Sequence, residues 1–588
     1  MAPISEQSGL NVHSWLALNT FLVVIFLVIV PVRIPIRWRK QLLGHVVLDL
    51  ATAPALGVLF LLATGSMHIE QVRDGFLGTA GIQPYSVMIL FYALAYLCIS
   101  LDMTGILQYF AFRLSKRGGS NGRRLFTYFF LLTTIFSTIG NDVVILTATT
   151  FLIYFTRVGE VSPPTAFFMA EFISANIGSM VLYIGNPTNV VVAEAFGVSF
   201  LSFSAWMLLP TLAAISLSYT ILRIYADRSG SLPHFVHAPE NLDPRVALTD
   251  SKGALFGAAV LLASLSALIG TSYFAVPVWM VTLPFALIML IRDGWYDCTR
   301  RNAYRFSRHG SYVGAVEHQI RHIDRQDSMP PPINLGDPIV SHDPVNTDCS
   351  ESMCMKESPS KSTTNERDPS PSLDLVSDSN DAPAGDSMTA TTIPVPGTPS
   401  VKQRMGLITG VGHLKRQWRL LFPTVYTVME RMPFKILPFA LGMFMLVEEL
   451  SAVDFISIFA RGISSIATTP AAAAFFIGWL ALLLCSLLNN LPMTILMTRI
   501  LQHPNFYEKA TPATRSAALF ALVIASNLGA ILTPVASLAG IMFQHILRSR
   551  GAPLAYSQFV GWCILVTPIV ATSVFGVLLL EVWFVYER

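Results

Sequence analysis

Long apolar runs recur along this chain, and polar residues interrupt four of them at matching places. A run of about 20 apolar residues crosses a bilayer as a helix. Such runs occupy 14–34, 44–65, 84–107, 199–224, 252–270 and 272–292, and after a long gap they resume at 434–452 and 556–584. Stretches 125–157 and 471–502 are each too long for one span, and they carry Asn141-Asp142 and Asn489-Asn490 near their middles. Each predicts a helical hairpin whose tip stops inside the membrane. Stretches 165–197 and 515–547 predict single spans broken at Gly185-Asn186-Pro187 and at Thr533-Pro534. Amides, glycines and prolines at membrane depth free backbone groups that lipid cannot satisfy, so the four interruptions are expected to line a protected, partly wet cavity.

The interruptions come as two sets about 350 residues apart. Gly140-Asn141-Asp142, Ser174-Ala175-Asn176-Ile177-Gly178 and Gly185-Asn186-Pro187-Thr188-Asn189 form the first. Leu488-Asn489-Asn490-Leu491-Pro492, Ser526-Asn527-Leu528-Gly529 and Thr533-Pro534 form the second. Phe91-Tyr92-Ala93-Leu94 running to Asp102 parallels Pro438-Phe439-Ala440-Leu441 running to Glu449 at nearly the same offset. Breaks at corresponding places in two halves of a membrane protein point to the binding site of a secondary transporter. The chain therefore divides into N-terminal spans (1–80), a first transporter repeat with the spans that follow it (81–292), a linker (293–418) and a second repeat (419–588).

Charge placement orients the repeats. The basic groups Arg33 to Lys40, Arg113 to Arg124, Arg223 to Arg228 and Arg292 to Arg308 fall on one side if the first span enters from outside. Both termini then lie outside, with ten full spans and two re-entrant hairpins. The first hairpin opens to the cytoplasm and the second to the opposite side, so the repeats are inverted. The run from Trp15 to Val32 is long for a signal sequence and is expected to be retained as the first span.

Composition agrees: 53% of residues are hydrophobic and 13% charged, against about 25% charged in soluble domains. A net charge of +3 gives no footprint for nucleic acid. The six cysteines, Cys98, Cys298, Cys349, Cys354, Cys485 and Cys563, form no CxxC pair, so neither a metal site nor a disulfide framework is indicated. The linker is rich in Ser, Pro, Asp and Thr and poor in large hydrophobes, the signature of a disordered cytoplasmic segment. Ser358-Pro359, Ser370-Pro371 and Thr398-Pro399 read either as proline-directed phosphorylation sites or as parts of an inert spacer. No GxxxxGK[ST] loop occurs, so the chain is not expected to hydrolyse ATP or to act as an enzyme.

The chemistry-bearing residues sit at the interruptions. Asp142 places a carboxylate in the bilayer interior, where an acid is costly and by default serves a proton relay or an ion site; the alternative is a cap on the returning helix. Glu171, five residues before Asn176, is the second candidate for ion coupling. Asp102 and Glu449, at matching ends of the repeat, are read as structural, and Asp49 is a further acid near a span. Pro187 removes a backbone donor and Gly185 permits an unusual backbone, while Asn186, Thr188 and Asn189 add donors and acceptors. Helix N-termini aimed at such a break favour anions. The alternative is a kink for packing. Asn489, Asn490 and Pro492 form the second tip, where an amide replaces the acid. Asn527, Gly529, Thr533, Pro534 and Ser537 complete the second break. Asn141 belongs with the substrate-binding set as well. Asn176 and Asn527 read either as substrate ligands or as amides bridging packed helices. No Arg or Lys is expected in either site.

These motifs resemble the arsenite permease and citrate transporter-like members of the ion transporter superfamily. The Gly-Asn-Asp hairpin, the Ala-Asn-Ile-Gly…Gly-Asn-Pro-Thr-Asn element, the Asn-Asn-x-Pro tip, Leu101-Asp102-Met103-Thr104-Gly105 and the stretch from Asn527 to Ala539 carry the resemblance. The last is similar to bacterial arsenite/antimonite efflux permeases. The resemblance covers nearly all of the chain except the linker. It implies an all-α polytopic membrane protein with scaffold and transport elements, elevator-type alternating access and substrate held between hairpin tips and broken helices. Sodium-dicarboxylate symporters carry Ser-Asn-Thr in each clamp, and neither tip here does. The expected function is proton-coupled export of an inorganic ion or metalloid such as arsenite or antimonite. A di- or tricarboxylate transporter of the same fold is the alternative; a channel would need a ring of repeated subunits instead. Expected partners are the small inorganic or organic ion, protons (or sodium), the lipid bilayer and a second copy of the chain in a homodimer. No cofactor, metal or nucleic acid is expected.

Overall fold

The computed structural model describes residues 11–38, 41–79, 81–236, 244–274, 276–306, 415 and 417–586. One unit comprises 1–304 and 413–588. A second, 305–412, lies almost wholly outside the described residues, and most of the segment read as a linker falls there. The helix Val278–Phe306 runs past the boundary read at 292.

Helices dominate. Eight of them among the described residues are long and apolar enough to cross a membrane, or nine if one bent pair counts as a span. Ten full spans were the expectation. The first broken helix divides into pieces too short to qualify, and one expected span has a different structure altogether. Residues 44–65 are not a single helix. Val32–Trp38 and Gln41–Leu48 pair as an antiparallel two-stranded ribbon, from Val32 opposite Leu48 to Trp38 opposite Gln41. Only Thr52–Ala63 is helical in that region. Pro31 and Pro35, four residues apart, would each remove a helical hydrogen bond, and alternate β-branched residues (Val32, Ile34, Ile36) suit a strand. Among the described residues the protein is therefore all-α apart from this ribbon.

The same order of elements occurs twice. In the first half, Pro84–Met103 ends at Gly105, whose φ of +85° turns the chain into the short helix Ile106–Gly118. Next come the hairpin Gly122–Ser137 and Asn141–Val158, the broken helix Thr165–Gly178 and Pro187–Ala195, and the long Phe200–Arg228. In the second half, Pro423–Arg431 and Ile436–Ala452 lead to Asp454, at φ +66°, and to Phe455–Ile466, bent away by 79°. This short helix was not among the elements expected. A hairpin follows, its first arm running from Pro470 to Leu488 through a π-turn at Ala473–Ile477 and returning as Asn490–Gln502. The broken helix Pro512–Leu532 and Leu538–Ser549 and the long Tyr556–Tyr586 complete the half. Both hairpins and both broken helices lie where the polar interruptions put them.

Packing between the halves is reciprocal. Within each half, the hairpin's first arm lies against the first piece of its own broken helix. Glycine permits both approaches: a Cβ at Gly178 would lie 2.3 Å from Ser137 Oγ, and one at Gly529 would lie 2.7 Å from Cys485 Cβ. Across the halves, Asn141–Val158 packs on Leu538–Ser549, Asn490–Gln502 packs on Pro187–Ala195, and the two long helices pack on each other. That exchange brings both tips and both breaks to one place.

Candidate functional site

Four helices begin at that place. Asn141–Val158 and Asn490–Gln502 start at the hairpin tips, and Pro187–Ala195 and Leu538–Ser549 start at the breaks. The first-turn residues Asn141, Asp142, Pro187, Thr188, Asn490, Leu491, Leu538 and Ala539, with the caps Asn186 and Ser537, line one cavity. Three of the starts have a local cause in the caps. Asn186 accepts from the Thr188 amide at 3.2 Å, and Ser537 accepts from the Gly540 amide at 3.1 Å. Asn489, at φ +72°, reverses the second hairpin and donates to the Val535 carbonyl at 3.0 Å. The Asn490 backbone N–H donates to the Ala536 carbonyl at 2.8 Å, tying tip to break. N-terminal helix ends carry unsatisfied N–H groups and a partial positive charge. Four of them facing one cavity make a site for a negatively charged or oxygen-rich species.

Asp142 is the acid in this cavity, and no Arg or Lys lines it. A larger cavity shares Asn141, Asp142 and Pro187 with it, so the two adjoin. Its other walls are mostly apolar, and here the expectation of no basic residue fails. Arg431 lines the larger cavity, its Nη1 donating to Asp102 Oδ2 at 3.3 Å. The residue ends the helix Pro423–Arg431, just ahead of the apolar run that begins at 434, and the sequence does not single it out. Asp102 is buried and, as expected for a structural acid, holds that ion pair.

Gly185 lines the larger cavity, where a Cβ would lie 2.2 Å from the Ser179 carbonyl oxygen. The remaining candidates lie behind the cavity walls. Asn527 uses its whole amide: Oδ1 accepts from Asn186 Nδ2 at 2.9 Å and from Ser179 Oγ at 3.2 Å, and Nδ2 donates to Asn189 Oδ1 at 2.8 Å and to the Val523 carbonyl at 2.9 Å. Asn189 Nδ2 donates to the Ser179 and Leu182 carbonyls at 2.9 and 3.0 Å. Ser526 donates to Thr188 Oγ1 at 3.1 Å. This network joins the two breaks and is the bridging role open to Asn527 from the sequence. Asn176 accepts from Asn141 at 3.3 Å and holds the first tip. Glu171 is fully buried away from both cavities; Oε1 accepts from Thr149 at 2.7 Å, and Oε2 has no partner among the described residues. Gly529 serves helix packing, and Asn489, Pro492, Thr533 and Pro534 shape the tip and break without lining either cavity. Among the described residues no cluster of His, Cys, Asp or Glu could hold a metal.

Paired helical hairpins and broken helices, embedded in a set of apolar spans, define a multi-pass integral membrane transporter. The sequence matches the family described as citrate transporter over residues 25–514, and the chain belongs to that family. The arsenical pump membrane protein of Escherichia coli (strain K12) is 26% identical over 263 residues, which are 43% of this chain and 57% of that protein. The arsenical pump membrane protein of Yersinia enterocolitica is 30% identical over 141 residues, 24% of this chain and 33% of that protein. The matched regions thus cover little more than half of these relatives at most. Among solved structures, the Alcanivorax borkumensis YdaH transporter aligns over 98% of both chains at 13% identity with a TM-score of 0.45.

Proposed function

We propose that this protein is a secondary active carrier that exports a small inorganic oxo-species, such as arsenite or antimonite, in exchange for protons. The observation that carries the reading is the meeting of four helix N-termini around one cavity whose acid is Asp142. The helix ends supply donors for oxygen atoms of the cargo. Asp142 supplies a group that can hold a proton when the cargo is absent and give it up when the cargo is present, which is the requirement for exchange. The two halves act as inverted repeats, and the hairpins and broken helices move as one transport element against the remaining helices. Two curated relatives named as arsenical pump membrane proteins support the metalloid.

A carboxylate cargo is the second reading, favoured by the Arg431 side chain in the adjoining cavity and by the description of the matched family. Purified protein in liposomes distinguishes the two. Arsenite and antimonite should exchange with an imposed proton gradient, and citrate and succinate should not. Carboxylate exchange without metalloid exchange would reverse the order of the readings, and transport of neither would remove both.

A further inference from the structure

The larger cavity has a composition that its neighbour lacks. Its walls are largely apolar (Phe91, Leu94, Ile99 and Leu146 among them), yet one guanidinium and one carboxylate, Arg431 and Asp142, border it. Arg431 sits in the last turn of Pro423–Arg431, where a cation complements the helix dipole, so a purely structural role must be weighed. The contact geometry argues for more. Arg431 bonds Asp102 through a single nitrogen at 3.3 Å, and its side chain remains 42% exposed, whereas Asp102 is buried at 6%. A guanidinium built only to neutralise a buried carboxylate forms the two-pronged pair that its fork permits. Here most of the fork has no side-chain partner, and Arg431 borders a cavity whose apolar walls strengthen its field.

We infer that the larger cavity is an anion-receiving vestibule, in which Arg431, held at one edge by Asp102, meets a negatively charged cargo and hands it to the helix N-termini next door. The inference rests on the reading of the smaller cavity as the carrier's site, and it concerns cargo that arrives with a negative charge. Asp142, shared by both cavities, lies on the path between them. A cargo that engages Arg431 covers the guanidinium before it encounters that carboxylate.

Cys98 allows a test that needs no knowledge of the cargo. It lines the same cavity, is partly exposed and stands one helical turn from Asp102, so both side chains share a helix face. In a full-length variant whose other five cysteines are replaced by serine or alanine, Cys98 is treated with methanethiosulfonates carrying either a sulfonate or a trimethylammonium group. The ratio of the anionic to the cationic rate reads the local potential. Arg431→Gln should lower that ratio roughly tenfold, since a unit charge at this range acts oppositely on the two reagents, and Arg431→Lys should largely restore it. The double variant Arg431→Gln/Asp102→Asn separates the roles. If Arg431 merely neutralises Asp102, removing both charges returns the ratio to that of the parent and the proposal fails. If Arg431 serves the cavity, the ratio stays low. A Cys98 unreactive to both reagents would show the cavity closed to solutes, and this too would overturn the vestibule. Failure of metalloid exchange in liposomes, with the rate ratios as expected, would remove the cargo assignment and leave the vestibule standing.

Discussion

At the scale of single residues, the site separates into groups that face a cavity and groups that hold its walls, and the two kinds should fail differently. Asp142 faces both cavities. Asp142→Asn keeps the size and removes the titration, so uphill transport driven by a proton gradient should be lost while exchange of cargo for cargo persists. Retained uphill transport in liposomes would move the coupling elsewhere, with the buried Glu171 next in line. Asn527 is a wall residue. Asn527→Ala would orphan the buried amides of Asn186 and Asn189, a loss of about 1–3 kcal/mol, and it should lower the melting temperature in detergent. Asn490→Ala, whose side chain borders the smaller cavity, should raise the KM and leave the melting temperature nearly unchanged. Much of this was legible in the sequence because polar residues inside apolar runs have few reasons to exist. Their division of labour was not, since an amide that binds cargo and one that bridges helices look alike until partners such as Ser179 and Asn189 are seen. Arg431 escaped notice for a related reason: a basic residue beside an apolar run ordinarily flanks a membrane interface.

At the scale of elements, hairpins and broken helices could be read because length and interruption are strong signals. The ribbon could not. Residues 44–65 are apolar enough for a span, and the strand character of Val32–Leu48 depends on prolines and on a pairing partner that hydropathy ignores. The short helices after Gly105 and Asp454 mark where each half bends, and Phe455–Ile466 escaped because its length is only 12 residues. One contact between elements governs how the second hairpin is held. Arg499, on its return arm, pairs with Glu448 of Ile436–Ala452 and bonds the Thr79 hydroxyl, while its Nη1 donates to the Thr79 carbonyl at 3.0 Å. Thr79 Oγ1 donates in turn to Glu448 at 3.0 Å. Arg499 and Glu448 are only 11% and 15% exposed, so each depends on the other. Arg499→Ala should cost about 3 kcal/mol by stranding Glu448, and Arg499→Ala/Glu448→Ala should recover a large part of it. Melting curves of the parent, both single variants and the double variant in one detergent measure this coupling. Losses at the two single variants that simply add in the double variant would show that the pair contributes nothing to holding the hairpin.

At the scale of the whole molecule, the repeated order of elements and their crosswise packing describe two halves that complete each other's site. Neither half alone brings four helix starts together, because each return arm lies against the other half's broken helix. What remains to be measured is the sense of the repeat across the membrane. If the halves are inverted, the loops joining hairpin to broken helix lie on opposite faces. Glu160 stands in the first such loop and Lys509 in the second, and both are exposed. With the basic segments facing the cytoplasm, Glu160→Cys should resist an impermeant maleimide applied to intact cells and react after permeabilisation. Lys509→Cys should react from outside at once. Labelling of both from one face would mean parallel repeats. The four N-termini would still meet, but the two hairpins would open to the same side, and alternating exposure of the cavity would require a different motion from the one proposed.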